Sequence, residues 1–230
     1  MTDRGAKMAK ETVDLLCFLG VSGNALARNK TGISTLLLRP PALVFRLIAF
    51  LSCDEIGLPL DRIGPLLRRP ECLALLDVAA PAHGSNSEPK EEMKAIDDAY
   101  RRMQRNLGIL KEDIGIKKIA PTILSCPEIL LKTESDHFLR IIDILHKEIG
   151  LDSQSVSRIV ESYPYLLNSE PDKVLRAISF LSRLDISEEA LQKIVRAFPS
   201  IISLDEDKEM APVVDYLKEI GVVNLGRFVT

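Results

Sequence analysis

The amino-acid sequence predicts an all-α protein built as an α-solenoid, a stack of helix-proline-helix repeats. Three observations predict it. The nine residues IVESYPYLL, Ile159 to Leu167, return thirty-five residues later as IVRAFPSII, Ile194 to Ile202. Around both copies apolar residues recur at three- and four-residue steps, the period of an α-helix. Prolines able to end such helices stand at 40, 70, 127, 164 and 199, separated by 30, 57, 37 and 35 residues, so only one interval is anomalous. Two helices per unit with a period of roughly 30 to 40 residues is how an α-solenoid reads, because each unit buries its apolar face only against its neighbours.

In chain order, STLLLRPPALVFRLIAFL breaks at Pro40 and its unit closes at Gly57, and IGLPLDRIGPLLRRPECLALL breaks at Pro70. The long interval that follows holds AAPAHGSNSEPKEE, Ala79 to Glu92, poor in apolar residues and rich in Ala, Pro, Ser, Gly and Glu, which reads as a flexible insertion. Amphipathic character returns in MKAIDDAYRRMQRNLG, where Ile96, Tyr100, Met103 and Leu107 share a face and Gly108 is expected to end the helix. This reads as the displaced second helix of the Pro70 unit. IGIKKIAPTILSCPEILL then breaks at Pro127 and continues as HFLRIIDILHKEIG to Gly150.

In the next unit Asp152 or Ser153 opens the first helix, Pro164 breaks it, Ser169 and Pro171 start the second, and Asp185 stands where a glycine is expected. In the one after, Ser187 is the N-cap, Leu191, Ile194, Val195 and Phe198 share a face, and Pro199 stops the helix. SIIS is too short for a full helix. DEDKEMAPVVDYLKEIG restarts with acidic residues suited to a helix N-terminus and ends at Gly221, a natural left-handed exit. GVVNLGRFVT begins a sixth unit and stops before any break proline, as expected if either the chain is a fragment or its last repeat is an incomplete cap. The expected organisation is therefore degenerate repeats over 1–78, the insertion over 79–92, and repeats over 93–230 with the last incomplete. Tyr163 and Phe198 read as core residues under the breaks, and replacing Phe198 with Ala is expected to cost about 3–5 kcal/mol.

Composition sets the limits on function. At 230 residues and 46% hydrophobic content the chain can bury a real core. Thirty basic and 33 acidic residues leave a net charge of −3, so there is no global basic field, and any surface for an anionic partner must be local. The longest apolar run, Leu36 to Leu51, is broken by Arg39, Pro40, Pro41 and Arg46, which argues against a membrane span. Cys17, Cys53, Cys72 and Cys126 lie far apart with no histidine at ligand spacing, so neither zinc nor a disulfide framework is signalled and buried thiols in a reducing compartment are expected. His83, His137 and His146 read as surface or partly packed residues. The start, MTDRGAKMAKETVDLL, lacks an apolar signal core and shows no transit peptide. No phosphate-binding glycine loop, nucleophile elbow or His-Glu-x-x-His helix occurs, so the sequence signals no enzyme, cofactor or metal site. A monomer is expected.

The pattern of two apolar residues, two variable ones, an aromatic, proline, a variable residue and two apolars, followed about twenty residues on by FLSRL or YLKEIG, resembles the mitochondrial transcription termination factor (mTERF) family. IVESYPYLLNSEPDKVLRAISFLSRL and IVRAFPSIISLDEDKEMAPVVDYLKEIGV carry the resemblance. It covers about Lys111 to Val223 and extends more weakly over Leu15 to Leu76. The resemblance implies a right-handed-type α-solenoid of mTERF-like repeats forming a half-superhelix with a positively charged concave groove. It also implies a place in mitochondria or chloroplasts, with binding to double-stranded DNA or structured RNA in the control of transcription, its termination, or organellar RNA and ribosome maturation.

Phosphate neutralisation needs several Lys or Arg side chains along one surface, and in a stack of repeats equivalent positions form a column. Six residues before the break proline lie Arg158 and Lys193, and nine after it lie Lys173 and Lys208. Lys173 and Lys208 stand near the start of a second helix, where the macrodipole does not favour a cation, although Asp172 and Asp207 precede them. Arg196, the pair Lys117 and Lys118, and Arg68 with Arg69 could extend a groove. The chain has no Trp, and Tyr163 and Phe198 read as core, so the aromatics lean away from base stacking and towards a duplex. A protein-binding scaffold is the rival reading, since stacked helical pairs also make concave surfaces for protein partners.

Overall fold

The computed structural model describes residues 3–18, 20, 41–67, 89–130, 135–184 and 186–222, and among them every regular element is helical. Met1–Leu107 with Ile119–Lys132 form one compact unit, and Gly108–Lys118 with Thr133–Thr230 form another.

The first unit holds α1 (Asp3–Phe18), α2 (Pro41–Leu51), α3 (Leu60–Leu67), α4 (Pro89–Gly108), α5 (Ile119–Ser125) and a 3-10 turn, Pro127–Leu130. α2 starts on a proline, which needs no N–H partner there, and buries Leu43, Val44, Leu47, Ile48, Phe50 and Leu51. It packs on α1. Gly57 leaves the unit at φ +69, as expected of its closing glycine. On α4, Ile96, Met103 and Leu107 are buried, and Tyr100 meets Phe50 edge-on with ring centroids 5.5 Å apart. Arg46 pairs with Asp97 of α4. Asn106 is fully buried and donates to the carbonyls of Ile129 and Leu130 at 3.0 and 3.1 Å, so the polar group is satisfied by the break after α5. Pro40, Pro70, Arg68 and Arg69 lie outside the described residues, as does the insertion up to residue 88. Its last four residues, Pro89–Glu92, are the first turn of α4.

Gly108 does not end α4 as the sequence suggested. It keeps right-handed helical dihedrals (φ −57, ψ −49), and a π-helical turn, Ile109–Asp113, follows it. The left-handed exit comes at Gly115, φ +74. Lys111-Glu112-Asp113-Ile114-Gly115 is the ending Lys-Glu-Ile-Gly of residues 147–150 and 218–221 with one residue added. A π turn, closed five residues back instead of four, takes up that residue: the N–H of Ile114 bonds the carbonyl of Ile109 at 2.9 Å.

The second unit continues with α6 (Ser135–Lys147), α7 (Ser153–Ser162), a 3-10 turn Pro164–Asn168, α8 (Pro171–Ser182), α9 (Glu188–Ala197), a 3-10 turn Pro199–Ser203, a π turn Glu206–Met210 and α10 (Ala211–Glu219). The repeat grammar is therefore helix, proline-led 3-10 turn, helix. Asp152 caps α7 by accepting from the N–H of Ser155 at 2.7 Å. Ser187 caps α9 by accepting from Ala190 at 3.3 Å. Ser187→Ala removes that acceptor and is expected to cost about 1 kcal/mol, measured by urea unfolding. The second π turn sits ahead of Pro212, which has no N–H for the carbonyl of Lys208, while Met210 reaches back five residues to Asp205. Gly150 and Gly221 leave their helices at φ +73 and +91. Asp185 lies outside the described residues.

The core comprises Phe138, Ile141 and Leu145 of α6, Val156, Ile159 and Val160 of α7, Leu166 and Leu167 of the first turn, and Leu191, Ile194 and Val195 of α9. Phe198 is not in it. The residue before a proline is driven to extended backbone, and at φ −136, ψ 71 Phe198 leaves the helical path of α9, so its ring stands 68% exposed. Burial at this break falls to Ile194, Val195 and Ile202. The equivalent Tyr163 is half-buried. Among the thiols Cys126 is buried, but Cys17 is exposed on α1, against the expectation that all are core.

Candidate nucleic-acid interface

The sequence candidates fall into two groups in the second unit. α7 and α9 pack side by side. Arg196 of α9 crosses to α7, its Nε donating to Ser155 Oγ at 3.1 Å, and its Nη2 lies 3.5 Å from Gln192 Oε1. Arg196 and Arg158 both act on the carboxylate of Asp152. That carboxyl is held below its ordinary value of 3.8, first by its hydrogen bonds from Ser155 and then by the charges of Arg196 and Arg158. Lys193 lies three residues before Arg196, on the same side of α9, and is exposed together with Arg158 and Arg196. One capping acid thus faces two exposed arginines, Arg158 and Arg196.

Lys117 and Arg158 line one cleft of about 540 Å³, whose other walls include Glu112, Asp113 and Glu161. A Glu161 carboxylate oxygen accepts from the backbone N–H of Lys117 at 2.7 Å and of Lys118 at 3.1 Å, leaving both side chains exposed. The carboxylates make this end of the surface mixed in sign.

Lys173 and Lys208 form the second group, and their surroundings are acidic. Both act on Asp205, whose carboxyl lies below 3.8 chiefly because it accepts from the backbone N–H of Lys208. Lys208 is embedded in Asp205-Glu206-Asp207-Lys208-Glu209. Arg140 stands 3.9 Å from Asp172, and Arg183 pairs with Glu206. On these second helices a cation of one repeat meets an acid of the next, so the surface carries little net positive field.

Two polar contacts that the sequence reading missed fix α7 and α9 in place. Ser157 donates to the carbonyl of Gly115 at 2.9 Å, and Gln192, thirty-five residues on, donates to the carbonyls of Ile149 and Gly150 at 3.0 and 3.3 Å. Each repeat latches its first helix to the left-handed exit of the unit before. The signal was the equivalence of the two positions, hidden because Ser and Gln differ in length. His137 and His146, expected as surface or partly packed, are half-buried: Nε2 of His137 lies 2.7 Å from the carbonyl of Ser169, and Nδ1 of His146 lies 2.6 Å from that of Leu151.

The mTERF family model matches residues 55–225, which include both groups of cations and α3 to α10. The chain belongs to the mTERF family. Two relatives from Arabidopsis thaliana are similar to this mTERF chain: "Transcription termination factor MTERF15, mitochondrial", 26% identical over 86 residues, and "Transcription termination factor MTERF8, chloroplastic", 25% identical over 136 residues. The matched stretches are 37% and 59% of this chain, and 19% and 26% of the relatives' own lengths. Among its described residues no helix is long and apolar enough to cross a membrane, and no group of three or more His, Cys, Asp or Glu is placed to hold a metal ion.

The Asp152 cap gives this mTERF chain an acid signature. Its folded pKa lies below 3.8, so the stabilisation is fully present above that pH and is lost as pH falls through the lower folded value. Asp152→Asn keeps a capping side chain but removes the charge. Its melting temperature is expected to lie below the wild type's at neutral pH and to converge on it in acid, in a pH series followed by circular dichroism.

Proposed function

We propose that this mTERF chain binds double-stranded DNA through the cations of α7 and α9 and regulates organellar transcription or its termination. The observation that carries the reading is the pair Arg158 and Arg196 acting on a single capping carboxylate across side-by-side first helices, with Lys193 exposed three residues before Arg196. Such a surface neutralises phosphates without reading bases. Lys117 and Lys118 extend it past the cleft, while Lys173 and Lys208, among acids, contribute less. Family membership and the names of the organellar relatives support the setting in mitochondria or chloroplasts. The mechanism is occupancy: a bound stack of helices blocks or positions a polymerase.

One observation favours a second reading. Phe198 and Tyr165 are 68% and 44% exposed, and Tyr165 lies 6.0 Å from Tyr163 ring to ring. Exposed aromatics near cations suit stacking of unpaired bases, as in an RNA-maturation factor. Fluorescence anisotropy with mixed-sequence duplex DNA, duplex RNA and single strands of each, at low salt, separates the two. Tightest binding to duplex DNA supports the proposal. Preference for single strands, abolished by Phe198→Ala, replaces it with the second reading, and no binding to any of the four favours a protein-binding scaffold.

A further inference from the structure

Glu161 and Arg196 hold the same place in successive repeats, three residues before Pro164 and Pro199. Both reach back along the chain. Glu161 accepts from the backbone N–H groups of Lys117 and Lys118, and Arg196 donates through Nε to Ser155 Oγ at 3.1 Å. The reach belongs to the repeat, and its charge follows from what it meets. Backbone N–H groups take a carboxylate, whereas the first turn of α7, which already carries Asp152 as its cap, takes a guanidinium.

Ser155 stands between the two charges. Its hydroxyl and its backbone N–H both hydrogen-bond the Asp152 carboxylate. A carboxylate only accepts, so the hydroxyl proton goes to Asp152 and the oxygen lone pairs receive the Arg196 Nε–H. Asp152, Ser155 and Arg196 therefore form a directed chain in which each bond polarises the next. Gln192 Oε1, 3.5 Å from Nη2, flanks the same guanidinium. These contacts involve Nε and Nη2, and Nη1 carries further donors on a side chain that is exposed. Resting on the nucleic-acid reading of α7 and α9, we propose that Ser155 is a positioning residue for phosphate binding: its hydroxyl, oriented by Asp152, holds the Arg196 guanidinium so that its Nη1 edge is ready for a backbone phosphate. An unheld arginine must give up its rotamer freedom when it grips a phosphate, and a held one gives up less.

The test is fluorescence anisotropy of the full chain with a labelled mixed-sequence DNA duplex across a salt series, for wild type, Ser155→Ala, Ser155→Thr, Arg196→Lys and Arg196→Ala. Ser155→Ala keeps every cation and the backbone bond to Asp152, so it is expected to weaken binding about 3- to 10-fold with an unchanged slope of log K against log salt. Arg196→Ala removes a phosphate contact and is expected to make that slope shallower by about 0.9. Arg196→Lys keeps the charge but has no Nε–H for Ser155, so it is expected to match Ser155→Ala. Ser155→Thr keeps the hydroxyl and is expected to bind within about twofold of wild type. Unchanged affinity in Ser155→Ala, or an equal loss in Ser155→Thr, overturns the inference while duplex binding by the wild type stands. A wild type that binds no duplex overturns the nucleic-acid reading and the inference together.

Discussion

Phe138→Ala is expected to lower the unfolding free energy by about 3–5 kcal/mol, while Phe198→Ala changes it by less than about 1 kcal/mol. The two residues have the same chemistry and opposite surroundings. Phe138, on the second turn of α6, is fully buried, so truncation removes the transfer free energy of the ring and leaves a cavity that packed helices cannot close. Phe198 is 68% exposed beyond the end of α9 and loses little on truncation. At about 2–4 °C per kcal/mol for a chain of this size, the first variant melts at least about 6 °C below wild type. Equal effects of the two would contradict the placement of the core.

The second large effect concerns the two groups of cations. Reversing Arg158 and Lys193 together to Glu is expected to weaken binding to duplex DNA by about 100-fold at low salt, since two phosphate contacts become two repulsions. Reversing Lys173 and Lys208 is expected to change it only a few-fold, because both already act on Asp205, and Asp172 and Glu206 beside them already meet Arg140 and Arg183. Titrations of both variants with the same labelled duplex read the difference. Equal losses would mean that the second-helix column contacts nucleic acid as well.

Much of this architecture was legible in the sequence because prolines and caps act locally. Pro164 and Pro199 stop α7 and α9 wherever the helices lie in the stack, and Asp152 and Ser187 start them through hydrogen bonds three residues away. Gly108 misled because helix termination depends on whether the next residues can continue the helix, and Ile109–Asp113 continue it as a π turn. Phe198 misled because helical periodicity was extended one residue too far, across a pre-proline position whose backbone is no longer helical. The site was legible only in part. The 35-residue column identified Arg158 and Lys193, but that Arg196 crosses to Ser155, and that Lys173 and Lys208 share Asp205, depends on packing between repeats.

The proposed hold of a local cation cluster on α7 and α9 on nucleic acid, despite a net charge of −3, is read by the salt dependence of duplex DNA binding. With Arg158, Lys193, Arg196, Lys117 and Lys118 engaged, log K is predicted to fall linearly with log salt at a slope of about −4.5, each contact contributing about −0.9, and the slope is predicted to shrink by about 2 in the Arg158→Glu, Lys193→Glu protein. A slope near zero, or no binding at low salt, would contradict the account and turn the search to a protein partner.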